Sequence, residues 1–210
     1  MQLISDSKPP FGPDHGRLFD VASEQSGYFT AAQAGHCGFS KPLLVHHARP
    51  GGRFVRVRHG LYRLREYPSS PREDVIAAWL TADRNVAVVS HESALDLLDL
   101  SAVVPDAVHL TVPRSKRYRR RVPGIAIHTT TRPLRPRDVV VRDGIRVTSA
   151  ERSIVDAAGG GTAPDQVARA VTQALERGMT TESRLLAAAR QRGRRIERLV
   201  RLAIEGLPRA

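Results

Sequence analysis

Polar and apolar positions alternate most clearly over residues 53–64, RFVRVRHGLYRL. Val55 and Val57 alternate with Arg56 and Arg58, which is the period of a half-buried strand. His59-Gly60 interrupts the run, and glycine tolerates the positive φ of a tight turn. A two-residue loop there predicts the pairs Arg58–Leu61, Val57–Tyr62, Arg56–Arg63 and Val55–Leu64. That register puts Val55, Val57, Tyr62 and Leu64 on one face and Arg56, Arg58 and Arg63 on the other. Like charges placed opposite each other cost stability, so Arg56 facing Arg63 points to an anionic ligand.

Upstream the pattern turns helical. Residues 1–13 contain Pro9, Pro10 and Pro13 with little periodicity and read as a loose lead-in. Asp14 starts a first helix with Leu18, Val21 and Ala22 on one face, and Ser26-Gly27 ends it. Thr30 is an N-cap for a short helix over 31–35, Gly38-Phe39 is a turn, and Ser40 caps a third helix that accepts Lys41-Pro42 in its first turn. The third helix is expected to run to about Arg49, before Pro50-Gly51-Gly52. Helix, helix, turn, helix and hairpin, over residues 14–67, is the order of a winged helix-turn-helix. Its recognition helix would present Ser40, Lys41, His46 and Arg49 to base edges, with Leu44 and Ala48 packed inward. Arg53, Arg56, Arg58 and Arg63 would hold DNA phosphates or enter a minor groove.

Residues 67–71, YPSSP, form a turn-rich junction and the expected boundary of a second domain over 72–210. Val75, Ile76 and Trp79 mark one face of a helix from Glu73 to about Ala82. Strands are expected at 85–90, 107–112 and 125–130, with helices starting at Ser90 and Ser149. Asp143-Gly144 lies between VVV and IRV, a strong hairpin signal. From Pro164 onward the pattern is helical, interrupted near Gly178-Met179 and Gly193. The fold class is therefore α+β: a winged helix-turn-helix plus a mixed α/β domain ending in helices.

Charge sharpens the functional reading. Lys and Arg number 33 against 21 acids, a formal charge of +12 that favours an anionic partner. Residues 114–121, RSKRYRRR, hold six basic residues and one tyrosine. Arg114, Lys116, Arg117, Arg119, Arg120 and Arg121 could bind a nucleic-acid backbone, with Tyr118 stacking on a base, or an acidic surface of a protein partner. A solvated loop is the plainer reading. The one cysteine, Cys37, excludes an internal disulfide and a paired-cysteine zinc site. The eight histidines are scattered, and no metal ligand set or cofactor motif is expected. The run Gly159-Gly160-Gly161 lacks the Lys-Ser/Thr of a phosphate-binding loop. Ser90-His91-Glu92-Ser93 reads as a helix start rather than a catalytic set, and Asp156 as a buried ion-pair anchor. No apolar run approaches the ~18 residues that span a bilayer, so a cytosolic protein with no membrane partner is expected.

The segments GYFTAAQAGHCGFS, RHGLYRL, VVSHESALDLL, VHLTVPRSKRYRRR and GIRVTSAERSIVDAA occur in the order found in AbiEi-type antitoxins of bacterial abortive-infection toxin–antitoxin systems, and the chain resembles that family from about residue 15 to 178. The resemblance implies an N-terminal winged helix that binds promoter DNA and represses its own operon. It also implies a second domain that neutralises a cognate nucleotidyltransferase-like toxin. Two alternatives stand beside it: an enzyme-type antitoxin that modifies the toxin covalently, for example by phosphotransfer, and a one-component transcription factor with no toxin partner.

Overall fold

Asp14 starts the first helix, α1 (His15–Ser23), by accepting a hydrogen bond from the Arg17 amide at 2.9 Å. The computed structural model in which this cap is seen describes residues 12–116 and 122–206, so most of the expected lead-in lies outside the described residues. A short strand, β1 (Tyr28–Thr30), follows α1. Thr30 then caps α2 (Ala31–His36) reciprocally: the Gln33 amide donates to Thr30 Oγ1 at 3.1 Å, and the Thr30 amide donates to Gln33 Oε1 at 2.8 Å. Gly38, at φ +84°, turns the chain. Ser40 Oγ accepts from the Leu43 amide at 3.3 Å and starts α3 (Lys41–His47), which ends two residues short of Arg49. A β-carbon on Gly52 would lie 2.2 Å from the His47 carbonyl oxygen, so the chain can fold back against the end of α3 only with glycine there.

The hairpin strands are β2 (Phe54–Arg58) and β3 (Leu61–Leu64). With β1 they form an antiparallel sheet in the order β1-β3-β2. The register differs from the expected one. Arg58 does pair with Leu61, but the ladder then shifts between Arg56 and Arg58, giving Arg56–Tyr62, Val55–Arg63 and Phe54–Leu64. The extra residue reverses the facing of the outer half of the hairpin. Phe54 is buried, whereas Val55 and Val57 are each 37% exposed. Arg56 therefore does not oppose Arg63. Phe54 packs with Phe29 and Phe39, at ring-centroid distances of 5.0 and 5.8 Å, and Tyr62 stacks on Phe29 at 5.8 Å. Leu18, Ala22, Ala34, Cys37 and Leu44 complete this core.

The next helix, α4 (Glu73–Thr81), packs against β1 and β3. The chain divides into two units, Met1–Thr81 and Ala82–Ala210, so α4 lies with the N-terminal unit although the junction at 67–71 suggested otherwise. Turn-rich composition marks a bend there, and the bend returns the chain to its own sheet.

The second unit is built on a five-stranded mixed sheet in the order β6-β5-β4-β8-β7. Its strands are β4 (Val88–Val89), β5 (Val108–Pro113), β6 (Ile125–Thr130), β7 (Val139–Arg142) and β8 (Ile145–Thr148). β5 and β6 run parallel, as do β4 and β8; β7 and β8 form the hairpin at Asp143-Gly144, where both residues have positive φ. The helices are α5 (His91–Leu97), α6 (Ala150–Gly160), α7 (Pro164–Glu176), α8 (Glu182–Arg192) and α9 (Arg194–Glu205). Leu95, Leu110, Val147, Ile154, Val171 and Leu185 are fully buried between sheet and helices. Among the described residues, no helix is long and apolar enough to cross a membrane.

Candidate functional site

In the N-terminal unit, Leu44 points into the core and turns the opposite side of α3 outward. Ser40, Lys41, His46 and Arg49 are all exposed there, as the sequence suggested. Val45 shares the exposed surface at 55% exposure and was not among the expected residues. An exposed valine between Lys41 and Arg49 suits an apolar contact with a thymine methyl group. His47 is half-buried, its ring 5.1 Å from that of Phe54, and burial lowers its pKa.

The hairpin arginines separate into two groups. Arg53 and Arg56 are exposed, with Arg53 Nη1 3.4 Å from His15 Nδ1 and Arg56 Nη2 3.3 Å from His59 Nδ1. Arg58 is half-buried. Arg63, expected on the DNA side, is turned to the other face of the sheet. Its Nη2 donates to the Tyr67 carbonyl and to Glu73 Oε1, both at 2.8 Å, and its guanidinium lies over the Tyr28 ring. Only 13% of that side chain is exposed, so it joins β3 to α4 rather than extending the basic surface. Arg65, which sequence reasoning passed over, donates to the carbonyls of Gly52, Arg49 and Phe54 and fixes the end of α3 to the start of the hairpin. Its partners lie 11 to 16 residues away in the chain, so no local pattern announces it.

In the second unit, Arg114 and Lys116 lie in a single 3-10 turn after β5, while Arg117, Tyr118, Arg119, Arg120 and Arg121 lie outside the described residues. A different basic feature emerges. Arg132, Arg135, Arg137, Arg152, Arg184 and Arg192 line a cavity of about 720 Å³, against the acids Asp138 and Glu151. Glu151 pairs with Arg184. Asp156, fully buried on α6, pairs with Arg152 Nε at 2.7 Å and also with Arg192 of α8, which is the anchoring role its sequence position suggested. Burial lowers the pKa of both arginines, and for Arg192 the charge of Arg152 lowers it further. These arginines come from distant segments, so composition alone did not gather them.

The start of α5 is organised through side chains more than through a backbone cap. Ser90 occupies the cap position but makes no side-chain cap bond. Its Oγ accepts from Thr111 Oγ1 at 2.8 Å and lies 3.0 Å from His91 Nδ1. Ser93 Oγ accepts from the His109 amide at 2.9 Å and donates to the Ala107 carbonyl, tying α5 to β5. Glu92 accepts from the Thr162 hydroxyl at 2.7 Å. The histidines are not all scattered in space: His91, His109 and His128 meet. The rings of His91 and His128 stack with centroids 3.5 Å apart, and His109 Nδ1 lies 3.1 Å from His128 Nε2. Burial, followed by the neighbouring imidazoles, lowers His91 to about 2 and His128 to about 4. Burial also lowers His109, against the opposing pull of Glu92 and Asp106.

With this geometry in place, residues 17–65 match the family model described as a transcriptional regulator, AbiEi antitoxin. Those residues are similar to AbiEi-type antitoxin regulators. The segment runs from within α1 through β3 and so contains the exposed face of α3 and the whole arginine hairpin. Among solved structures, the crystal structure of the RV2827C protein from Mycobacterium tuberculosis is similar with a TM-score of 0.51 at 16% identity, covering 98% of this chain and 86% of that one. At that identity the likeness concerns the fold, and it extends across both units. No curated protein matches.

Proposed function

We propose that the chain is an autorepressing antitoxin. The AbiEi-type segment binds the promoter of its own operon, and Ala82–Ala210 neutralises a nucleotidyltransferase-like toxin. The observation that carries the DNA-binding part is the coincidence of the family match with one exposed basic surface. α3 offers Lys41, Val45 and His46 to base edges, Arg49 follows just past its end, and Ser40 starts the helix at that surface. The hairpin acts as a wing, with Arg53 and Arg56 on phosphates and Arg58 at its tip. Arg63 is left out of the contact set because Glu73 and two carbonyls already hold it. Neutralisation is assigned to the second unit because the AbiEi resemblance gives that role to the segment after the winged helix. The arginine-lined cavity gives this unit a cationic feature of its own.

Phosphate contacts release condensed counterions, so log K should fall linearly with log[salt], by about 0.9 per phosphate neutralised. Arg53→Ala combined with Arg56→Ala should flatten that slope by roughly 1.8 and weaken binding to all duplexes alike. Arg63→Ala should leave the slope unchanged and lower thermal stability instead. Fluorescence anisotropy over a salt series checks both. An Arg53/Arg56 variant with the wild-type slope would remove the wing from the DNA surface.

A further inference from the structure

His91 at the start of α5, His109 on β5 and His128 on β6 place one ring nitrogen each within 4.8 Å of one another. From these positions we infer that the second unit binds one divalent transition-metal ion, of the zinc class, through His91, His109 and His128, with water in the fourth position. His109 Nδ1 and His128 Nε2 are already spaced as neighbouring ligands. Their 3.1 Å separation would subtend roughly 100° at an ion with Zn–N bonds of about 2.0–2.1 Å, near the tetrahedral value.

The surroundings fit ligation better than packing. Phe or Leu would fill this volume without desolvating ring nitrogens, so core filling alone gives no reason for three imidazoles. His91 holds φ +53°, a costly conformation outside glycine. Ligating histidines are usually oriented through their second nitrogen. Here Ser90 Oγ faces His91 Nδ1 at 3.0 Å, and Asp106 Oδ1 lies 4.0 Å from His109 Nε2. Burial lowers the pKa of all three rings and so favours the uncharged form that binds metal. Arg192 lowers the pKa of His91 and His128 and would repel a cation, but Asp156 pairs with it while Glu92 and Asp106 flank His109. Imidazole donors favour zinc, copper and nickel over magnesium or calcium.

The full chain, stripped with a chelator and dialysed, is titrated with Zn²⁺ by calorimetry and with Co²⁺ by visible spectroscopy. One equivalent should bind, and Co²⁺ should develop the ligand-field bands of a four-coordinate nitrogen site. His109→Gln and His128→Gln should each weaken binding by at least about 100-fold, and Ser90→Ala by about 10-fold through loss of His91 orientation. Loss of the equivalent in His46→Ala/His47→Ala with retention in His128→Gln would place the ion on α3 and overturn the inference. Failure of the wild type to bind would overturn it as well. If the glutamine variants do not fold, X-ray absorption of the Zn²⁺-loaded wild type decides: three imidazole ligands uphold the site, and one or none refutes it.

Discussion

Phe54→Ala should destabilise the N-terminal unit by about 3–5 kcal/mol, whereas Val55→Ala beside it should cost less than about 1 kcal/mol. The contrast follows from the register. Phe54 is 2% exposed and touches the rings of Phe29, Phe39 and His47, so truncation removes the aromatic contact that holds the hairpin on the helices. Val55 pairs with Arg63 on the opposite face and is already 37% exposed. DNA binding should be lost in Phe54→Ala because α3 and the hairpin no longer share a core, and kept in Val55→Ala. Urea unfolding followed by far-UV circular dichroism measures both variants. Equal losses, or a greater loss in Val55→Ala, would restore the regular register without the bulge.

Asp156→Ala should destabilise the second unit by about 3 kcal/mol. Removing one member of a buried ion pair leaves the remaining charge without compensation, which typically costs about 3–5 kcal/mol. The lower end applies here because the Arg152 and Arg192 side chains are 22% and 40% exposed and regain water when released. Asp156 also joins α6 to α8, so its loss loosens one wall of the arginine-lined cavity. Asp156→Asn keeps the shape and one acceptor oxygen, and should fall between wild type and alanine. A denaturation midpoint for Asp156→Ala equal to that of the wild type would show that the carboxylate is not an anchor.

Local chemistry made much of this fold legible. Thr30 and Ser40 start helices because their hydroxyls accept from amides three residues on, and Asp143-Gly144 turns a hairpin because both residues take positive φ. The hairpin register departs from the simple alternation because two phases of alternation overlap over residues 53–58. Val55 and Val57 suggest one inward face, but Phe54 buries more surface, and the bulge resolves the conflict in its favour. β1 has three residues, too few to show a period. At the candidate site, the exposed side of α3 was readable from helical spacing. The fate of Arg63 was not, because Glu73 reaches it across a ten-residue bend. The histidine cluster was hidden for a related reason. In the parallel register of β5 and β6, Thr111 pairs with His128 and His109 with Ala126, so the two histidines become diagonal neighbours only once the strands lie side by side.

The most direct test of the account is the affinity of the full chain for the DNA upstream of its own gene, compared with a shuffled duplex of equal length at physiological salt. A specific regulator should favour its operator by about 10³-fold or more. Replacing Lys41, His46 and Arg49 together by alanine should remove that preference while leaving a weak, salt-sensitive affinity for both duplexes. Equal affinity of the wild type for operator and shuffled DNA would contradict the account, and so would a preference that survives in the triple variant.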